Sequence, residues 1–600
     1  MKKIFIPFLV LSSLFIISCD KDYLTEVPED QLVKTNTFTN YNNFKTYAWS
    51  FYSVFNPYNL ANQDSEFHGD LFLNSNSKNI TDVSNWIRNN QTIPATSTDY
   101  SNPYANIRRV NIMLDNVDKA TELTQLQKNH WRSVGYFFRA IEYFNLVSKY
   151  GDVIWIENEL NDLSAELYAP RTPRNEVTKN ILNNLLYAEA NIFPTGDGPN
   201  TVGVGAVRAL ISRFGLFEGT WRKYHNLSDA DIYLKACVNA SEKAMASYPT
   251  LMTNYDLEFN SESLLNAPGI ILYKNYADTQ ATHILTSRHR NSAGNWDLTK
   301  KAADMYLLKD GKTRWDSPLF PANGDQDPYT EFRNRDRRML YTILPPFKVT
   351  PTGPGAPNSA LTWTYDADPK NREYIDLMAT LSDAKHKTLP AIQHQGQVLK
   401  QSPHFRLFAN GQGYIAGQTG YQLFKFYNNI LQVQNVDNSD APIFRIAEVM
   451  INYAEAKYEL GEFNQPIANS TINKLRARGG VAPYIIGQEP SDPSRDPSVN
   501  PVLWEIRRER AIELMAEGFR FNDLRRWHKM DYTQTEKLGR WIVRSDYGNA
   551  LTVLGGGTAG YVTVQGPPPA GGFPEYYYLY PIPSNEIVLN PNMVQNPGWK

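Results

Sequence analysis

Only two cysteines, Cys19 and Cys237, occur in 600 residues, so disulfides cannot be what holds a chain of this size together. Long apolar runs are equally scarce. After residue 17 none approaches the roughly 20 residues that a helix needs to span a bilayer. The formal net charge is -2 and no long run of one sign occurs, which removes the basic face that nucleic acid or anionic lipid would require. Charged residues make up 20% of the chain, below the roughly 25% of an ordinary globular protein. The familiar catalytic and cofactor signatures are missing too. There is no HExxH, no phosphate-binding Gly-rich loop, no G-x-S-x-G elbow and no CxxC pair, and no motif asks for a cofactor or a metal. Gly411-Gln-Gly413 lacks the third glycine and the strand-to-helix setting of a dinucleotide loop. His283 and His289 have no acidic neighbour in sequence and are expected to be structural or surface residues. A glycosidase needs only two carboxylates brought together by the fold. With 62 Asp and Glu that reading stays open, but nothing local supports it.

What is present is apolar and aromatic. Hydrophobic residues are 42% of the chain, mean hydropathy is -0.47, and aromatics reach 13%, with 36 Tyr and 12 Trp. A protein this long buries much of that surplus in its core. Tyr and Trp also suit sites that need an apolar face beside a polar handle.

The first 18 residues read as a secretory signal: Lys2 and Lys3, then an apolar stretch from Ile4 to Ile17, then Ser18 before Cys19. The ending is similar to the lipobox of bacterial lipoproteins, with Ile16 where that motif prefers Leu. Cys19 is then the acylated mature N-terminus and lipid, palmitate included, the only anchor; stable attachment takes two or more acyl chains. Cys237, left without a partner, falls on a helical pattern with Ala240 and Ala244 and is expected to be a small buried hydrophobe.

Residues 20–37 read as a polar leader. Helical periodicity follows through Phe44, Tyr47, Ala48, Phe51 and Phe55. Asn102-Pro103 and Thr172-Pro173 look like N-caps with Pro at the first helical position. Val207, Leu210, Ile211, Phe214, Phe217 and Trp221 form the cleanest stripe, and Ser228 with Asp231 resembles a capping box. Near the C-terminus, Ile446 to Leu460 ends at Gly461, Pro466 opens a helix stopped by Gly479-Gly480, and Asn500-Pro501 opens another. Helices of roughly 12 to 20 residues with short connections predict antiparallel pairs stacked in layers. Between about 250 and 440 this character fades. Pro and Gly cluster at 345–346 and 351–357, and Ile270–Tyr273 reads as a strand among loops. Such an insert is either where a ligand meets the chain or simply a loop-rich decoration.

The most charged stretch is Glu505 to Trp527, with Arg and Glu densely mixed. Pairs three residues apart, Glu505 with Arg508 and Arg510 with Glu513, predict a structural salt-bridge network. Within it, Arg508-Glu-Arg-Ala-Ile-Glu-Leu-Met-Ala-Glu-Gly-Phe-Arg-Phe-Asn-Asp-Leu-Arg-Arg-Trp527 resembles the signature of the SusD/RagB outer-membrane lipoproteins. So do Phe444-Arg-Ile-Ala-Glu-Val-Met-Ile-Asn-Tyr-Ala-Glu-Ala-Lys-Tyr-Glu-Leu-Gly461, Ile472 to Gly479, Tyr578-Leu-Tyr-Pro-Ile-Pro583 and the ending Gln595-Asn-Pro-Gly-Trp599. Upstream, Tyr143 to Asp152 and Ala206 to Trp221 also match, and Asp20-Lys-Asp22 is similar to the acidic surface-export signal of those lipoproteins.

The resemblance implies a mostly α fold of about four degenerate tetratricopeptide-like helical pairs, carrying a loop-rich, irregular α/β portion. It divides the chain into a signal peptide (1–18), an N-terminal helical region (19–249) and a C-terminal region (250–600) whose insert (250–440) is the ligand-binding part. It also implies a non-enzymatic lipoprotein on the extracellular face of the outer membrane. Such a protein captures an oligo- or polysaccharide for nutrient uptake through a SusC-like TonB-dependent transporter. A peptide-capturing lid and, less favoured, a surface glycosidase are the alternatives. No ligand residue carries over by motif. Trp in polar, loop-like sequence is the one candidate, which singles out Trp86, Trp296, Trp315 and Trp363, the first two flanked by Asn. Taken singly, each also fits a satellite core or a partner contact. Trp131, Trp221 and Trp527 lie on helical patterns and are assigned to structure.

Overall fold

The structure is a computed structural model that describes residues 37–59, 65–74, 86–87, 89–278, 280–291, 296–352, 362–391, 398–405, 417–431, 433, 435–564 and 569–600. The signal sequence, Cys19, the leader up to residue 36, Gly411-Gln-Gly413 and most of the 351–357 segment lie outside the described residues.

The scaffold is helical. Among the described residues, six α-helices come first: α1 (Tyr41–Ala48), α2 (Thr98–Val117), α3 (Gln125–Tyr150), α4 (Arg174–Asn191), α5 (Val204–Tyr224) and α6 (Ala230–Ser247). Helices return near the end, among them α7 (Ile446–Glu459), α8 (Ile472–Gly479), α9 (Pro501–Glu513) and α10 (Arg520–Arg526). Consecutive helices pack as antiparallel neighbours, α3 on α4 and α5 on α6, and α7 lies across both α5 and α6. Layers of this kind make a tetratricopeptide-like solenoid. One apolar core runs through them, from Phe44 and Trp131 through Phe137, Leu185 and Phe214 to Met450 and Ile582. The two ends of the chain therefore share a core.

Caps decide where the helices begin. Asn500 accepts from the Val502 N–H and Pro501 takes the first helical position, as the sequence predicts. Gly461, at φ +75°, and Gly480, at φ +71°, end α7 and α8 in the left-handed conformation that favours glycine. Three start signals are corrected. α2 begins at Thr98, with Pro103 inside the helix. α4 begins at Arg174, whose N–H is capped by Asp152 Oδ1 from 22 residues away at 2.7 Å, so Pro173 stands outside. The Ser228 capping box does not form, because Asp229 adopts a left-handed conformation before α6 and Ser228 bonds to its carboxylate instead.

α5 and α6 approach so closely that glycine is required. A Cβ on Gly215 would stand 2.7 Å from the Tyr233 carbonyl oxygen and 2.9 Å from the Cys237 amide nitrogen. Cys237 itself is fully buried beside Ser212 and Ser241, and burial pushes its thiol up to about 12.

Strands are short. β2 (Ile270–Lys274), near the start of the irregular portion, pairs antiparallel with β7 (Ala441–Arg445), which runs straight into α7. β1 (Phe72–Asn74) pairs with β3 (Trp296–Leu298). β4 (Phe347–Pro351) lies between β5 (Trp363–Tyr365) and β6 (Gln401–Ser402), and β8 (Leu538–Val543) pairs with β9 (Ala559–Thr563). A second apolar core, with Leu298, Tyr306, Met339, Phe347 and Tyr427, supports this portion. Among the described residues, no helix is long and apolar enough to cross a membrane.

Candidate functional site

The charged stretch is internal. Glu505, Arg508, Glu509, Arg510, Glu513, Asp523 and Arg526 are all buried. The predicted pair Glu505–Arg508 forms at 2.9 Å. The predicted pair Arg510–Glu513 does not. Arg510 reaches Asp523 Oδ2 at 2.7 Å and Asn452 Oδ1 at 2.7 Å. Glu513 instead receives Arg338, Arg445 and Arg478, three cations from outside its own helix. Burial pushes the Glu513 carboxyl up, but those three guanidinium groups outweigh it and hold the group well below the usual carboxylate range. Arg476 bridges Glu505 and Glu509, and Arg526 grips Glu455. These ion pairs are made inside the protein, and the network welds α7, α8, α9 and α10 to the segment around Asp336–Arg338. It is a structural device.

The four tryptophans separate into two kinds. Trp86 is 4% exposed, with its ring 4.5 Å from Tyr580 and 5.5 Å from Tyr577. Polar groups near it bond within the protein: Asn89 donates to the Gly572 carbonyl and the Gln91 N–H donates to the Tyr577 hydroxyl. Trp296 is 2% exposed, stacked on Phe67 and beside His289. The expectation that polar flanks leave these two rings exposed is therefore corrected. Beside Trp86, Asn89 reaches a residue more than 400 positions away, and beside Trp296 the Asp297 carboxylate accepts from the Thr419 N–H at 3.0 Å. His283 and His289 are buried too, and desolvation pushes both imidazoles down to about 3. Trp131, Trp221 and Trp527 are core, as their helical stripes predict.

Trp315 and Trp363 lie at the surface. Trp315 is 38% exposed and carries the Arg314 guanidinium 4.4 Å over its ring. Arg314 is held by Asp325 at 2.9 Å and Asp304 at 2.9 Å, and the Tyr561 hydroxyl also donates to Asp325. Burial would raise the Asp325 carboxyl, yet Lys300, Tyr561 and Arg314 together hold it below its ordinary value. Trp363, half-buried, and Tyr365, exposed, are two apart on β5 and so share one face. Their rings meet edge-on at 5.0 Å, and Arg372 lies 4.0 Å over Tyr365. Asn371 accepts from the Tyr329 hydroxyl at 2.6 Å and donates to Asp366 at 2.8 Å.

Both aromatic positions border one segment, residues 324–332. Asp325 in it anchors Arg314 beside Trp315, while Asp327 and Tyr329 engage Lys370 and Asn371 beside Tyr365. Exposed rings flanked by fixed cations, amides and carboxylates can stack on an apolar face and bond a hydroxyl rim. Tyr365, Arg372 and Asn371 escaped the sequence reading because a search for Trp in polar surroundings gives Tyr and Arg no weight. Among the described residues, cavities also lie elsewhere. One of about 530 Å³ is lined by Tyr100, Tyr104, Arg108, Asn158 and Met593. Another, of about 550 Å³, lies under the charge network beside Arg213, Glu448, Phe519 and Asp523.

A tetratricopeptide-like helical scaffold with an irregular portion bearing exposed aromatics defines the class. Within that class the chain belongs to the SusD family, whose model matches residues 268–599. A second model, described as starch-binding associating with outer membrane, matches residues 22–215. Among solved structures, the chain is similar to a SusD-like protein from Bacteroides fragilis NCTC 9343, with 19% identity, 96% of this chain and 100% of that one covered, and a TM-score of 0.67. A SusD-like carbohydrate binding protein from the same strain matches with 19% identity, coverage of 93% and 99%, and a TM-score of 0.66. A laminarin binding SusD-like protein matches with 18% identity, coverage of 94% and 100%, and a TM-score of 0.53. No curated protein matches the chain by sequence.

Proposed function

We propose that this chain is a non-enzymatic lipoprotein that captures glycan at the outer face of the outer membrane and delivers it to a SusC-like TonB-dependent transporter. The observation that carries the reading is the pair of exposed aromatic positions, Trp315 and Trp363–Tyr365, set among ion-paired Arg314 and Arg372 and the amide of Asn371. A pyranose offers C–H faces to a ring and hydroxyls to such a rim. Structural relatives described as carbohydrate binding and laminarin binding support the same ligand class. The Cys19 lipid supplies the anchor, and the domain division at residues 249 and 250 assigns ligand contact to the 250–440 portion.

Affinity electrophoresis of the protein through gels cast with individual polysaccharides tests the ligand class. Retardation by one polymer and not by others is the expected result. Heat on titration with peptides and none with glycans would replace glycan by peptide, and release of new reducing ends would make the protein an enzyme. For the partner, an affinity-tagged chain extracted in mild detergent is expected to bring down a much larger membrane protein. Repeated isolation as a lone monomer would remove the transporter from the reading.

A further inference from the structure

His225, His528 and Glu575 come from three distant parts of the chain and meet at one place. His225 follows the end of α5, His528 lies in the turn after α10, and Glu575 opens a short 3-10 helix, Glu575–Tyr578. One ligating atom from each lies within 4.8 Å of the others. The rings are not loose. His225 is stacked on Trp221 at 4.0 Å and 9°, and His528 on Tyr578 at 4.4 Å and 12°. The two imidazoles meet edge to face at 4.8 Å.

The hydrogen bonds prepare these groups as ligands. His225 Nε2 lies 2.9 Å from the Arg525 carbonyl oxygen. A carbonyl only accepts, so Nε2 carries the proton and Nδ1 keeps its lone pair. An imidazole whose second nitrogen donates to a backbone carbonyl is the common arrangement around metals, since it fixes the tautomer and the ring plane. His528 Nε2 lies 2.9 and 3.0 Å from the two Glu575 oxygens. Ligand atoms about 2 Å from a tetrahedral ion stand roughly 3.3 Å apart. The His528–Glu575 pair is already near that spacing, and the set closes with movement on the order of 1 Å.

We propose that His225, His528 and Glu575 bind a divalent transition-metal ion of the zinc class and so clip the end of α5 to the turn after α10 and to the C-terminal segment. Two imidazoles and one carboxylate suit zinc, nickel or copper and not magnesium or calcium, which take oxygen ligands. The ion replaces the hydrogen bond between His528 and Glu575, with the Nε2 proton of His528 moving to Nδ1 by way of solvent. Water completes the coordination, since Glu575 is exposed on its outer side.

The detergent-extracted full chain, dialysed against micromolar zinc chloride and assayed by elemental analysis, is expected to retain one zinc per chain and to melt at a higher temperature with zinc than with magnesium. Loss of an outer-shell partner typically weakens a metal site by about 10–100-fold, so loss of a ligand should weaken it at least tenfold. Glu575→Gln tests this at an exposed carboxylate where folding is not at stake. His528→Asn tests it at φ 56°, a conformation that Asn tolerates. Zinc retained by both variants as tightly as by the parent, or no zinc retained by the parent, would overturn the proposal.

Discussion

Arg526 holds Glu455 by two parallel hydrogen bonds of 2.6 and 2.7 Å, although 71 residues separate them. Glu455 also accepts from the Trp527 indole N–H at 2.6 Å. A carboxylate on α7 thus fixes two consecutive side chains at the end of α10, so the helical pairs at the C-terminus are locked by charge as well as by apolar contact.

Removing one partner leaves the other charge buried and unpaired, which costs about 3–5 kcal/mol. Glu455→Ala is therefore expected to lower the melting temperature clearly at neutral pH while leaving glycan affinity of the folded protein unchanged. Glu513→Ala should also lower the melting temperature, because it takes one shared carboxylate from Arg338, Arg445 and Arg478 at once. Calorimetry for melting and gel retardation for binding check both; affinity lost at an unchanged melting temperature would contradict a structural role.

The same pair has a pH signature. Burial raises the Glu455 carboxyl, the Arg526 guanidinium outweighs it, and the net result is a group held at about 2. A carboxylate depressed in the folded state contributes stability that is present above its unfolded value of about 4.3 and is lost as pH falls toward 2. The parent protein is expected to lose melting temperature more steeply than Glu455→Gln between pH 4 and pH 2, a window set by those two values. Parallel curves would mean that this pair does not carry the acid sensitivity.

Aromatic substitutions should divide by burial. Trp86→Ala and Trp296→Ala empty packed interior positions and are expected to cost about 3–5 kcal/mol of stability. Trp315→Ala, Trp363→Ala and Tyr365→Ala should leave the melting temperature within a few degrees and weaken glycan binding by about 1–3 kcal/mol per ring, by analogy with base stacking on aromatic platforms. Calorimetric titration with whichever polysaccharide retards the protein separates the two groups. Full affinity in all three surface variants would move the binding face elsewhere.

Gly215 provides a test of packing without chemistry. Its absent Cβ is what lets the α5 backbone meet Tyr233 and Cys237. Gly215→Ala should force the two helices apart and cost about 1–3 kcal/mol, read as a lowered melting temperature.

At the other end of the chain, Cys19→Ala should abolish labelling by a clickable fatty acid and release the protein from membranes. Undiminished label in the variant would place the lipid on another residue.

Helical stripes such as Val207 to Trp221 and caps such as Asn500-Pro501 are legible in the sequence, because periodicity and capping are local. So are the strand at 270–274, the glycines that end α7 and α8, and the charged signature of residues 508–527. What those charges touch is not local. Arg510 sits three residues from Glu513 and bonds Asp523, because α9 is buried all round and each side chain pairs with whatever cation or carboxylate the neighbouring helices present. Trp86 illustrates the same limit: its flanking polar residues predict solvent, and the C-terminal segment some 490 residues later covers it. Sequence alone determined the kind of scaffold and the residues that make its helices. Tertiary structure alone decided which aromatics face outward and which histidines meet, since burial and convergence depend on segments that share no neighbourhood in the chain.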